Sequence, residues 1–178
     1  HFFRKARQEA FKKNTEVTTG LLQSDTAKRE IASIYRCDLS LIISKVEIEL
    51  LKDTFDVPEN LLFYLPFMEE TPSEEEKKDQ LLFGDRKNFI SIGNFRHEPN
   101  WDAVLNLKQN IWPLIRKELP QAELHIYGAY PGPKVKQLHN EKENFLVKGW
   151  ADSALDVIGS SRVLLAPLRF GAGLKGKF

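Results

Sequence analysis

The densest chemical signal in the sequence lies between Gly159 and Phe178. No acid occurs there, while Arg162, Arg169, Lys175 and Lys177 sum to four positive charges. Gly171, Gly173 and Gly176 follow directly on the apolar run Val163-Leu164-Leu165-Ala166-Pro167-Leu168. Glycine lets backbone approach a ligand closely and take positive φ. A loop leading into a helix points unpaired N–H groups outward and adds about half a positive charge from the helix dipole. Lysines set among the glycines add whole charges. These are the ingredients for holding a mono- or diphosphate, and the plainer reading is a basic loop without a ligand.

Two familiar phosphate motifs fit this loop poorly. Gly171-Ala172-Gly173-Leu174-Lys175-Gly176-Lys177 has the Walker spacing, but Phe178 stands where a Ser or Thr would hold Mg²⁺. A P-loop NTPase is therefore an unfavoured alternative. The glycines after Ile92 do not follow the dinucleotide fingerprint either. Other chemistry is sparse. The four histidines have no i,i+4 pair for zinc, and Cys37 is a single cysteine, so neither a metal centre nor a disulfide framework is expected. His97 reads as a loop or cap residue, His125 as a sheet residue and His139 as exposed. Trp101, Trp112 and Trp150 read as core anchors.

A phosphate loop needs a sheet to position it, and the sequence supplies one. Asn88 to Gly93, Ala122 to Tyr127, Phe145 to Val147 and Val163 to Leu168 are short apolar runs of strand type. Between them lie helical patterns. Asn100 is placed to cap the first, with Asp102 in its first turn and a stripe of Trp101, Val104, Leu105, Ile111, Trp112 and Ile115 interrupted by Pro113. Val135 to Asn140 and Asp152 to Ile158 read as two shorter helices. Upstream, Thr26 to Tyr35 is helical, Asp38 to Ser44 a strand, and Ser44 with Glu47 forms a capping box. That box opens a helix expected to bury Val46, Leu50, Leu51 and Phe55, and Leu61 to Leu65 is a further strand. Strand and helix alternate throughout, as in a parallel α/β sheet.

Composition fits a globular chain. Of 178 residues, 42% are hydrophobic and 29% charged, and 26 basic against 25 acidic residues leave no field to attract nucleic acid. Residues 1–13 carry Arg4, Lys5, Arg7, Lys12 and Lys13, read as a solvated helix face, with a membrane-surface or acidic-partner role as the alternative. No apolar run is long enough to span a bilayer, and one thiol with no export signal suggests the cytoplasm. The acidic stretch around Glu74, Glu75 and Glu76 reads as a linker, dividing the chain into residues 1–68, a linker over 69–85, and residues 86–178.

Taken in order, Gly93-Asn94-Phe95-Arg96-His97-Glu98-Pro99-Asn100-Trp101-Asp102-Ala103, Ile111-Trp112-Pro113, Ala122 to Gly128, Gly149-Trp150 and Ala166 to Lys177 resemble the donor-binding half of GT-B glycosyltransferases. The resemblance is to the retaining family 4, group 1 type, and covers residues 88–178. Residues 38–66 resemble the end of the acceptor-side domain of that fold. It implies an α/β architecture of two Rossmann-like domains, both incomplete in this chain, with a nucleotide-diphosphate sugar as donor and no metal or other cofactor. Gly93 and Asn94 would line the donor cleft. Arg169, Gly171, Gly173 and Lys175 would hold the diphosphate and sugar, with Lys177 just beyond. No catalytic residue is assigned, the acceptor (glycan, lipid or protein) is unspecified, and the chain by itself is expected to be catalytically silent.

The sequence departs from the family pattern at two places. Arg96 is the one cation of the expected kind after the first strand, and no carboxylate follows Asp156, where members carry glutamates. A non-catalytic module that grips a nucleotide or a partner is the alternative.

Overall fold

The computed structural model describes residues 2–68, 71, 73 and 80–171. The chain divides into two compact units, His1–Thr71 with Phe170–Phe178, and Pro72–Arg169. Most of the acidic stretch read as a linker lies outside the described residues.

The first unit runs α1 (Phe2–Lys13), α2 (Thr19–Leu22), α3 (Asp25–Ile34), β1 (Ser40–Ile42), α4 (Lys45–Phe55), a 3₁₀ turn (Glu59–Leu61) and β2 (Leu62–Tyr64). In α1, Phe2, Ala6 and Ala10 are buried at four-residue intervals, so one stripe faces the core and the cations ride the solvated side. The Ser24 hydroxyl caps α3 by accepting the Ala27 N–H. Ser44 caps α4 by accepting the Glu47 N–H at 3.4 Å, the half of the capping box that satisfies a helix-start donor. Asp56 ends that helix at φ 51°, in the left-handed region.

Leu51 is buried and Leu50 and Phe55 pack beside it, but Val46 is 68% exposed, against expectation. Five residues at 3.6 per turn put Val46 roughly 140° around the helix from Leu51. The strands β1 and β2 pair in parallel, Ser40 opposite Leu62 and Ile42 opposite Tyr64, and both are shorter than the runs in the sequence.

The second unit alternates regularly: β3 (Lys87–Ile92), α5 (Glu98–Asn106), a π turn (Leu107–Ile111), α6 (Trp112–Glu118), β4 (Leu124–Tyr127), α7 (Pro133–Lys136), a 3₁₀ turn (Glu141–Glu143), β5 (Phe145–Gly149), α8 (Ala154–Ser160) and β6 (Ser161–Leu164). All four strands are parallel, in the order β5-β4-β3-β6. The register aligns Phe89, Leu124, Phe145 and Val163 in one row. This face packs against Val104, Leu107 and Trp112. The Trp112 ring meets Phe89 edge-on at 5.8 Å, and its indole N–H donates to the Glu143 carbonyl at 2.7 Å.

Several boundaries differ from the sequence reading, each for a local reason. His97 occupies the N-cap of α5, with no side-chain bond, and Pro99 sits in the first turn, where its missing N–H and fixed φ cost nothing. Asn100 is therefore inside the helix, not its cap, and Asp102 falls beyond the first turn. Pro113 lacks the N–H that would bond the carbonyl four residues back, and the chain takes the wider π turn just before it. Pro133 starts α7 earlier than expected and the helix ends at Lys136. Ser153 caps α8 by accepting the Asp156 N–H at 3.1 Å, so the helix opens at Ala154. The ladder of β6 extends one bond past Leu164, with Leu165 N–H donating to Ile90 at 2.7 Å.

Candidate functional site

In the β5-β4-β3-β6 order, β3 is followed in the chain by β4 on one side and is flanked by β6 on the other. The connections out of β3 and β4 both run toward the β5 edge, and the chain then returns from β5 to add β6 on the far side of β3, so the order reverses between β3 and β6. A parallel sheet opens a crevice beyond its carboxyl ends at such a switch point. Gly93 and Asn94 lie just past the end of β3, and Leu165 to Arg169 just past the end of β6.

Helix α5 ties these two strand ends together. The Asn94 carboxamide oxygen accepts the Arg96 N–H at 2.9 Å, an Asx turn that folds the chain back at the top of β3. The Asn94 carbonyl accepts the Asn100 side-chain N–H at 2.8 Å. Two residues further along α5, Asp102 takes both fork positions of Arg169, Nε to Oδ2 at 2.9 Å and Nη2 to Oδ1 at 2.5 Å. The Asp102 side chain is 15% exposed and that of Arg169 41%. Bonding to Asp102 raises the Arg169 pKa above its already alkaline value, with Coulombic attraction to Asp102 assisting and desolvation opposing. The guanidinium therefore stays charged wherever the protein is folded. The bidentate bond to Asp102 holds the guanidinium plane in a defined orientation.

Gly128 packs the neighbouring strand end close to this turn. A Cβ there would fall 1.9 Å from the Gly93 carbonyl oxygen and 2.7 Å from the Phe95 ring. The ladder continues across it, Gly93 N–H to Tyr127 at 3.2 Å and Gly128 N–H to Gly149 at 2.7 Å.

Against this geometry stands a match to the family model of glycosyl transferases group 1 over residues 86–178, more than half of the 178-residue chain. The chain belongs to the glycosyl transferases group 1 family. No curated protein and no solved structure matches it significantly. Membership supports glycosyl transfer as the function of this group 1 glycosyltransferase, with a sugar donor and an acceptor as its substrates. Among the described residues no helix is long and apolar enough to cross a membrane, and no group of three His, Cys, Asp or Glu could hold a metal ion.

Of the sequence-predicted donor residues in this glycosyltransferase, Gly93, Asn94 and Arg169 stand at the ends of adjacent strands. Gly171 has φ 130°, a conformation that favours glycine. Gly173, Lys175 and Lys177 lie outside the described residues. Asn94 uses its side chain to build the turn. Asp102, read from the sequence as a first-turn residue of its helix, is the partner of Arg169. The available signal was an acid in the helix after the first strand and an arginine after the fourth, two elements that become neighbours only once β3 and β6 are known to pair. Trp150, expected in the core, is 68% exposed at the end of β5, its indole N–H on Asp152 at 3.2 Å. Trp112 is the core anchor, 1% exposed.

Proposed function

We propose that this group 1 glycosyltransferase moves a sugar from a nucleoside-diphosphate donor to an acceptor hydroxyl with retention of configuration, as part of a two-domain GT-B enzyme of the cytoplasm. The observation that carries this reading is the double tie of α5, Asn100 to Asn94 and Asp102 to Arg169, which fixes a turn and a guanidinium at the mouth of a parallel switch point. As the glycosidic bond breaks, negative charge grows on the departing diphosphate. An oriented Arg169, the backbone of the Gly171 and Gly173 segment, and Lys175 and Lys177 would stabilise that charge by fixed electrostatics, without a metal ion. Asp102 would hold the Arg169 fork in place before the donor arrives.

Calorimetry with UDP and GDP on the full-length protein tests this. Arg169→Ala and Lys175→Ala should each weaken the preferred nucleotide by roughly 1.5–3 kcal/mol, the value of a hydrogen bond to a charged group. Chelating divalent ions should leave affinity and turnover unchanged. Unaltered affinity in both variants would reject the site.

One observation favours a second reading, a non-catalytic nucleotide- or partner-binding module. Arg169 is already engaged by a carboxylate in both fork positions. Nucleotide binding without sugar transfer or donor hydrolysis in the full-length protein would select it.

A further inference from the structure

A concavity of about 530 Å³ opens on this unit, walled by the β3–α5 loop, the start of α5 and the β4–α7 segment. Its volume lies within the range of small-molecule sites. Phe95, Trp101, Tyr130 and Pro133 supply flat apolar surface, Arg96 and Lys134 supply positive charge, and Glu98 supplies one carboxylate, leaving the lining net positive by one. Neither cation has a carboxylate within ion-pair distance among the described residues. Instead the Arg96 guanidinium stands 3.6 Å from the centre of the Tyr130 ring. Tyr130 is held at φ 54°, a backbone conformation rare for a bulky side chain, and its side chain is largely exposed. Strain of this kind persists where surrounding structure over-determines it, and it clusters at ligand sites. The walls are pinned here. Phe95 N–H donates to Ala129 at 3.1 Å, and Gly128 leaves no room between Gly93 and the Phe95 ring.

We infer that this concavity is a binding site for an anionic sugar, one carrying a carboxylate or a phosphate. Aromatic rings offer surface to the C–H face of a pyranose, and Arg96 and Lys134 offer charge-assisted hydrogen bonds to an acidic substituent. A neutral sugar would gain no charge-assisted bond from either cation. The lining is contiguous with the donor mouth through the chain itself, Phe95 following Asn94 and Trp101 preceding Asp102. The binding site stands independently of the donor reading above.

The test uses the full-length protein and three probes, glucose, glucuronic acid and glucose 6-phosphate, with binding followed by ligand-observed NMR and tryptophan fluorescence. At least one of the acidic probes should bind ten-fold or more tighter than glucose, and the stronger of the two identifies the acid. Lys134→Ala should bring the acidic probes to within about three-fold of glucose, and Tyr130→Ala should weaken all three. Arg96 and Lys134 are exposed, and circular dichroism of each variant checks that it folds. Binding should survive saturating UDP. The proposal fails if no probe binds, if glucose binds as well as the acids, if both variants bind like the parent, or if UDP displaces the sugar. Displacement would make the concavity part of the nucleotide site and leave the donor reading standing. Sugar binding in a protein that binds neither UDP nor GDP would do the reverse.

Discussion

Two parallel sheets in this chain grow from the same sequence rhythm and are buried very differently. In the second unit Ile90, Leu124, Ile126 and Phe145 are fully buried. In the first, Leu62 is the most buried strand residue, while Leu41 and Phe63, opposite each other in register, are 59% and 52% exposed. Both sheets are made of short apolar runs, so side-chain type is not the difference. What differs is company. The strands β3 and β4 each have partners on both edges and helices on their faces, whereas β1 and β2 have only each other among the described residues. A parallel strand becomes interior when both its edges and both its faces are covered. The core of the first unit accordingly comes mainly from its helices, through Phe2, Ala6, Leu22, Ala27 and Leu51.

The largest expected effect breaks the better-covered sheet. Phe145→Ala removes a fully buried ring that sits beside Trp112 and Leu124 in one cluster. Its cost should be about 3–5 kcal/mol in urea unfolding of the full-length protein. A loss below about 1 kcal/mol would mean that this sheet is no better packed than the other. Next in size is Gly128→Ala. The new methyl would collide with backbone, the Gly93 carbonyl, which has little freedom to yield. We expect a loss of about 1–3 kcal/mol, typical of overpacking, together with weaker UDP or GDP binding as the Gly93–Asn94 turn is displaced. Gly132→Ala, where a Cβ meets open space, should leave both measurements unchanged.

How much of this was legible beforehand follows the same division between local and long-range causes. The Ser44 cap, the break at Pro113 and the apolar strands β3 to β6 each depend on a few consecutive residues, and each could be read. Burial of Val46 could not, because the Ser–Glu box fixes where α4 starts and leaves open which stripe faces the core. Nor could the environment of Trp150, since a large apolar residue at a strand end is core or surface according to what covers that end. The pairing of Arg169 with Asp102 spans 67 residues of sequence and exists because β6 lies beside β3. The glycines and Arg169 were visible as site candidates by composition. That Asn94 would spend its side chain on an Asx turn was not, because the turn requires the geometry of the bend after β3.

Capping offers a matched control that should ignore the contrast between the units. Ser44 and Ser153 perform the same task at the starts of α4 and α8, each accepting the N–H three residues ahead. A cap satisfies a local donor whatever the sheet beside it, so Ser44→Ala and Ser153→Ala should each cost about 1 kcal/mol. Circular dichroism during urea titration checks both. A cost confined to one of them would show that the units differ in more than strand coverage.

The smallest expected effect sharpens the comparison most. Phe63→Ala removes as many atoms as Phe145→Ala, also from a parallel strand, yet the residue is half exposed. Its stability cost should stay within about 0.5 kcal/mol, as for surface substitutions away from special features. Because the residue type, strand type and substitution match, the gap between the two phenylalanines isolates coverage as the cause. A cost near that of Phe145→Ala would show that Leu41 and Phe63 are buried in the protein in solution, and that the outer face of β1 and β2 is covered there.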